Sequence, residues 1–294
     1  MRSGMVAVIG RPNVGKSSLV NALVGEKISI VTRKPQTTRH RVQGVVRRPA
    51  GQIVLVDTPG LHRGGGRALN RHLNDVAAGS IEGVDLVLFV VEAGAWKDED
   101  DVALERLRRC QAPVALVINK VDRLTDKQAL LPEIEQHRAR REFVFVVPLS
   151  ALKRDNLEAL VQEALNHLPE GQPLYGDDDP VAPDPRFMLA ELVREKLMQK
   201  LQQEVPYALT VEVEAYEAGP PVTRASAAIW VEREGQKAIV IGQGGGLLKQ
   251  VGSATRRELE QRLGHKVFLK LWVGTRAGWT DDPEALKKFG YVSS

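Results

Sequence analysis

The chain has 294 residues, 43% hydrophobic and 27% charged, with a formal net charge of +4. That composition excludes a disordered or fibrous protein, and the length suits two domains, each able to bury its own core. The single cysteine, Cys110, excludes an internal disulfide and a cysteine-based zinc site; it is expected to be a buried small hydrophobe in a reducing compartment.

No apolar run reaches the roughly 18 residues that span a bilayer, and the N-terminus enters a strand without a signal-peptide pattern, so a cytoplasmic protein is expected. The mild positive charge tilts it toward polyanionic partners. From Met1 to about Leu168, apolar strands alternate with helix-like segments, which predicts a mostly parallel sheet covered on both faces.

The first predicted strand, Met5–Ile9, runs into GRPNVGKS at Gly10 to Ser17 and then a helix to Gly25. Glycines at 10 and 15 let successive backbone N–H groups point inward at phosphates, where the dipole of the following helix adds to the attraction. Lys16 supplies a point charge to the β- and γ-phosphates, and Ser17 offers a hydroxyl to Mg2+, an ion that takes oxygen ligands. The next apolar run, Ile53 to Val56, ends in DTPG, Asp57 to Gly60. A strand's carboxyl end is where magnesium-holding aspartates sit in such sheets. Asp57 is placed to hold the ion through water, and the Gly60 N–H to sense the γ-phosphate.

A further strand, Val114 to Ile118, closes on NKVD, Asn119 to Asp122. Asp122 can accept from two N–H donors on the guanine edge, whereas adenine would leave the carboxylate facing an acceptor. Asn119 can tie this loop to the phosphate loop, and the stem of Lys120 can cover the purine face. Ser150 and Ala151 follow a predicted strand, Phe143–Pro148, and a backbone N–H there can meet the guanine carbonyl. Residues 174–184, rich in Gly, Asp and Pro, read as a linker. Beyond it the pattern predicts a helix at 186–203, strands at 208–218 and 223–232, and a short strand, Ala238–Ile241. A glycine loop, a helix at 247–263 and a strand at 266–273 complete it. The loop VIGQGGGLLK lacks Gly-Lys-Ser but matches the GxxG turn that clamps single-stranded backbone in KH domains. Ile241, Gly242, Gln243, Gly244, Gly245 and Lys249 are its candidate RNA-binding residues. Arg256, Arg257 and Arg262 on the next helix are either further phosphate contacts or a solvated helix face. Gln243 and Gly244 stand where many such loops carry a basic residue.

Taken with PQTTRHR at Pro35 to Arg41, DTPGLH, EVPYALTVEVE at Glu204 to Glu214 and GWTDDPEALKKFGY near the end, the chain from about 5 to 291 resembles the bacterial Era GTPases. That resemblance implies a P-loop NTPase G domain with a doubly wound, mostly parallel sheet (1–173), a linker (174–185) and an α+β type II KH domain (186–294). It makes PQTTRHR the first switch, with Thr38 preferred over Thr37 as its magnesium ligand, and DTPG the start of a second switch whose Gly64–Gly66 suggests a mobile loop. It implies a slow GTPase using GTP/GDP and Mg2+. The metal set is Ser17, Thr38 and Asp57, and the catalytic set is Lys16, Thr38 and Gly60. The nucleotide set is Gly10, Arg11, Pro12, Asn13, Val14, Gly15, Lys16, Ser17, Ser18, Asp57, Thr58, Pro59, Gly60, Asn119, Lys120, Asp122, Ser150 and Ala151. Leu61 stands where Ras-like proteins carry a water-orienting glutamine, hence the slow rate. By analogy, Asn13 is either a potassium ligand or a loop cap. The implied partners are 16S ribosomal RNA near its 3′ end and the 30S subunit, whose maturation such proteins assist. Alternatives are a GTPase coupled to RNA modification and a cell-cycle signalling GTPase peripheral to the inner membrane face.

Overall fold

Apolar runs with no polar alternation form the centre of the first sheet. In the computed structural model, which describes residues 1–60, 67–176, 179 and 183–291, β1 (Arg2–Ile9) enters α1 (Lys16–Val24), followed by β2 (Val42–Arg48) and β3 (Gly51–Asp57). Next come α2 (Ala68–Gly79), β4 (Leu86–Glu92), α3 (Asp98–Arg106), β5 (Val114–Asn119), α4 (Leu130–Arg140), β6 (Val146–Pro148) and α5 (Leu157–Asn166). The sheet order is β2-β3-β1-β4-β5-β6. Only β2 is antiparallel, as the hairpin partner of β3. Every residue of β3 and β5 is buried, as expected of parallel strands covered on both faces. Ala7, Ile9, Phe89, Leu116 and Ile118 share one core layer. This topology brings the carboxyl ends of β1, β3, β4 and β5 to one edge, where open α/β sheets bind their ligands.

The second sheet belongs to a separate set of elements: α6 (Pro185–Lys200), β7 (Leu209–Glu217), β8 (Val222–Val231), α7 (Glu234–Ile241), α8 (Gly246–Leu263), β9 (Lys266–Thr275) and α9 (Pro283–Lys288). Strands pair in the order β7-β8-β9, antiparallel then parallel. Leu189, Leu192, Ile229, Val240, Val251 and Val267 fill the layer between this sheet and its helices. Two compact units result: Met1–Val31, Thr38–Gly65 and Leu73–Ala182 in the first, and Thr32–Thr37, Gly66–His72 and Pro183–Ser294 in the second.

Three expectations need correction. Ala238–Ile241 is the end of helix α7, not a strand. Its buried positions, Gln236 and Val240, lie four apart, a helical spacing. The Gln236 side chain also caps the helix start by accepting from the N–H groups of Glu232 and Arg233 at 3.0 and 3.1 Å. Strand β6 is shorter than Phe143–Pro148: its ladder with β5 at the sheet edge covers only Val146–Pro148, and Val144 is exposed. Cys110 is half-buried, its Sγ directed at the Ala112 carbonyl.

Candidate nucleotide site and glycine loop

The phosphate loop wraps around groups from neighbouring strands, and two of its glycines are dictated by close approach. A Cβ on Gly10 would lie 2.3 Å from the Val90 carbonyl oxygen, and one on Gly15, at φ +102°, would lie 2.3 Å from Asn119 Nδ2. Nothing but hydrogen fits at either place. Lys16 opens α1 from within this loop; its Nζ donates to the carbonyls of Gly10 and Arg11, each at 3.0 Å. Burial, assisted by the charge of Arg11 and opposed by Asp57, lowers its pKa to about 8. Ser18 follows in the first turn, half-buried.

Ser17, Thr38 and Asp57 converge beside it. Ser17 Oγ lies 2.8 Å from Thr38 Oγ1, which donates to Asp57 Oδ2 at 3.5 Å. Asp57 is fully buried, and its Oδ1 has no hydrogen-bond partner. Burial pushes this carboxyl up while Lys16 holds it down. A buried, unsatisfied carboxylate oxygen beside two hydroxyls is the donor chemistry a hard divalent cation takes, completed by phosphate and water oxygens. Among the described residues no group of three or more His, Cys, Asp or Glu makes a protein-only metal cage. Thr37 goes elsewhere: within the second unit its hydroxyl donates to the Lys34 carbonyl at 2.7 Å, and its own carbonyl accepts from Arg194 Nη2. Gly60 closes on the phosphate loop, where an added Cβ would meet the Pro12 backbone at 2.9 Å. Thr58, between Asp57 and buried Pro59, turns its hydroxyl to the Val8 carbonyl at 2.8 Å.

On the base side, Asn119 Nδ2 donates to the Val14 carbonyl at 2.9 Å, and its Oδ1 accepts from the N–H groups of Lys120 at 2.8 Å and Ala151 at 3.0 Å. The Ala151 N–H is therefore taken up inside the protein. Lys120 Nζ reaches the Asn13 carbonyl at 2.6 Å and Glu92 at 2.9 Å. Asp122 is exposed, with Oδ1 held by Ser150 Oγ at 2.5 Å.

Arg11 does not join the phosphate-facing groups. Its buried guanidinium runs to Asp100 at 2.9 Å and Glu92 at 3.4 Å. Glu92 also pairs with Arg123 at 2.8 Å, so one carboxylate ties the phosphate loop to the base loop. Sequence reasoning missed Glu92 and Asp100; the available signal was an acid closing the apolar run of β4 at the same sheet edge as the motifs. Leu61 and Gly64–Gly66 lie outside the described residues.

The glycine loop lies in the second unit, so Ile241 to Gly245 and Lys249 form a separate locus. Gly242, at φ +74°, packs against Leu247, where a Cβ would sit 2.7 Å from Leu247 Cβ. Gly244 and Gly245 also have positive φ, and nothing lies within 4 Å of where their Cβ would be. Gln243 and Lys249 are exposed, Ile241 is half-buried, and Arg256 and Arg257 are exposed further along α8. The open backbone leaves room for a phosphate to approach closely.

Both units resemble known proteins. Residues 5–120 match the family described as 50S ribosome-binding GTPase, and residues 204–280 match the KH domain. A GTPase Era from Stenotrophomonas maltophilia is 56% identical over 288 residues, 98% of this chain and 97% of the relative. A crystal structure of an Aquifex aeolicus Era variant bound to GDP·AlF4− has a TM-score of 0.95 at 38% identity, covering 100% of both chains. The same TM-score, identity and coverage hold for Era in complex with MgGDPNP and nucleotides 1506–1542 of 16S ribosomal RNA. A nucleotide site at the carboxyl edge of a parallel sheet, a KH unit after it, and this likeness along the full length place the chain in the Era GTPase family.

Proposed function

We propose that this GTPase is a nucleotide-controlled RNA-binding protein that holds the 3′ end region of 16S ribosomal RNA and assists maturation of the 30S subunit. The convergence of Ser17, Thr38 and the unsatisfied Asp57 oxygen carries the nucleotide half of the reading. The open glycine loop of the KH unit, together with the relative bound to 16S RNA, supports the other half.

In this reading residues 1–173 bind nucleotide, 174–185 link, and 186–294 bind RNA. The N–H groups of Gly10 to Ser18 cradle the phosphates, and the Lys16 ammonium leaves its backbone acceptors to meet the β- and γ-phosphate oxygens. Ser17 and Thr38 would hold Mg2+ directly and Asp57 through water; when bound, the ion supplies charge neutralisation on the β,γ-bridge. Gly60 N–H is placed for the γ-phosphate, and Asp122, oriented by Ser150, accepts from the guanine N–H groups. Lys120 covers the base, while Asn119 holds base loop and phosphate loop in register. Leu61 offers the attacking water no hydrogen bond, so turnover is slow, with backbone groups and Thr38 orienting the water. Asn13 is the candidate potassium ligand, tested by comparing hydrolysis in K+ and Na+. In this reading the protein acts in the cytoplasm, with any contact at the inner membrane face peripheral; no helix among the described residues is long and apolar enough to cross a bilayer.

The guanine reading is tested with Asp122→Asn. Asparagine presents a donor where guanine presents donors and xanthine a carbonyl, so preference should move from GTP to XTP. Retained GTP preference overturns the assignment. RNA control is tested by titrating a 16S 3′-end RNA with GTP-analogue, GDP and nucleotide-free protein. Equal affinities in all three overturn the switch.

A further inference from the structure

The two faces of the β7-β8-β9 sheet are finished differently. Val267, Leu269, Leu271 and Val273 of β9 face the helices, which turns Lys266, Phe268, Lys270 and Trp272 to the outer face. At one end that face is closed. Trp230 and Trp272 meet edge to face at 5.1 Å, their indole N–H groups donate to Glu212 and Glu214 at 2.8 Å each, and Phe289 and Lys288 from the C-terminal segment pack over Trp230. Each polar group in that cluster has a partner.

At the other end the same face is left open. Phe268 is 58% exposed on an edge strand, in a unit whose other aromatics are covered or half-covered. Its cross-strand neighbour is Arg224, and Lys266 and Lys270 flank it two residues away on either side. All three cations are exposed, and among the described residues none has an ion-pair partner. Glu217 lies across Arg224 on the far strand and is the acid of that row; the next row, Ala215–Ser226–Lys270, is small on two of its three strands. The result is a low, flat platform with one bare ring and cations on three sides. Edge lysines alone would discourage strand pairing, so the ring is not needed for that purpose. A ring for a base to stack on and cations for the phosphates on either side is the arrangement that single-strand binding surfaces use.

The platform and the glycine loop share one strand, toward opposite ends of it. Strand β9 packs on its inner face against α7 and α8, the two helices that Gly242–Gly245 join, and it is the edge of the sheet. Val267 N–H donates to Glu260 near the end of α8 at 3.2 Å, while Leu271 lies against Gly252 nearer its start, so a strand of RNA leaving the glycine loop has to follow β9 back toward its first residues to reach Phe268.

We propose that Phe268, with Arg224, Lys266 and Lys270, forms a second single-stranded RNA contact on the outer face of the KH sheet, stacking a base downstream of the segment held at the glycine loop. This rests on the RNA-binding reading above, so the test separates the two. Two RNAs of the 16S 3′-end sequence are titrated against the full-length protein: one of about six nucleotides, just longer than the four a KH groove clamps, and one of about twelve, within the range of single-strand sites. Phe268→Ala should weaken the longer RNA about tenfold, the loss of one stacked base, and leave the shorter unchanged. Phe268→Trp should restore the affinity and show fluorescence quenching with the longer RNA alone. Because Phe268 is exposed, neither change removes core packing. Equal affinity of Phe268→Ala and wild type for the longer RNA, with no quenching in Phe268→Trp, overturns this contact while leaving the glycine-loop reading intact. Absence of wild-type binding to both RNAs overturns that reading and this one with it. Loss of vesicle or protein capture by Phe268→Ala, with RNA affinity unchanged, also overturns it and assigns the platform to another partner.

Discussion

If Lys16 meets the phosphates as proposed, nucleotide binding should be a proton-linked event above neutral pH. In the free site its Nζ is buried against two carbonyls, and burial sets its pKa to about 8. Phosphate oxygens favour the ammonium and raise that pKa, so the bound state holds a proton that the free state has begun to lose. At about pH 8.5, roughly three-quarters of the free protein is neutral at Lys16, and GDP binding should take up about 0.75 proton. Each further pH unit should weaken binding about tenfold, about 1.4 kcal/mol. Calorimetric titration in two buffers of different ionisation enthalpy measures the uptake directly. Zero uptake at pH 8.5 would refute the argument, since it would mean that the buried ammonium stays charged without its phosphate partner.

Three other outcomes are expected. Asp100→Ala leaves the Arg11 guanidinium buried without its 2.9 Å partner, and urea denaturation should show a loss of about 3–5 kcal/mol; a loss below about 1 kcal/mol would mean Glu92 alone compensates the charge. Glu92 has its carboxyl pushed up by burial but held below its ordinary 4.5 by the hydrogen bond and charge of Lys120 with Arg11 and Arg123. Its stabilisation is therefore complete above pH 4.5 and lost as pH falls through the lower folded value, so Glu92→Gln should flatten the acid limb of the stability profile; an unchanged slope there contradicts the hub. Gly242→Ala puts a Cβ 2.7 Å from Leu247 Cβ at φ +74° and should cost about 1–3 kcal/mol of KH-unit stability and weaken RNA binding without moving GDP affinity, whereas Gly244→Ala, with open space above it, should cost less.

The P-loop sheet and the KH unit were legible in the sequence because phosphate and backbone recognition restrict residue type: glycine where a Cβ would strike Val90 or Asn119, lysine and serine where charge and hydroxyl are needed. Ser17, Thr38 and Asp57 could be named from their motifs, but their approach to one another comes only from the fold. The Arg11–Glu92–Asp100 network left only one local trace, the acid that closes β4, and nothing in the sequence pairs that acid or Asp100 with an arginine more than 80 positions away. Ala238–Ile241 was misread because four apolar residues fit a strand and a helix turn equally; Gln236, capping from outside that window, decided it. The same window hid the platform, because alternation along β9 shows two faces without saying which neighbours leave one of them bare.

The bond from Asn119 to Val14 spans 105 residues, and Ala151 and Ser150 complete the holding of Asn119 and Asp122. During synthesis, which delivers the N-terminal unit first, the phosphate loop therefore emerges long before the groups that brace it. Nucleotide can stabilise this unit only after residue 151 has left the ribosome. Once α5, whose Leu160, Val161, Ala164 and Leu165 complete the core, has followed, GTP or GDP should act as a folding ligand in its own right, and a nascent chain halted just short of Ser150 should be open to proteolysis whatever the nucleotide concentration around it.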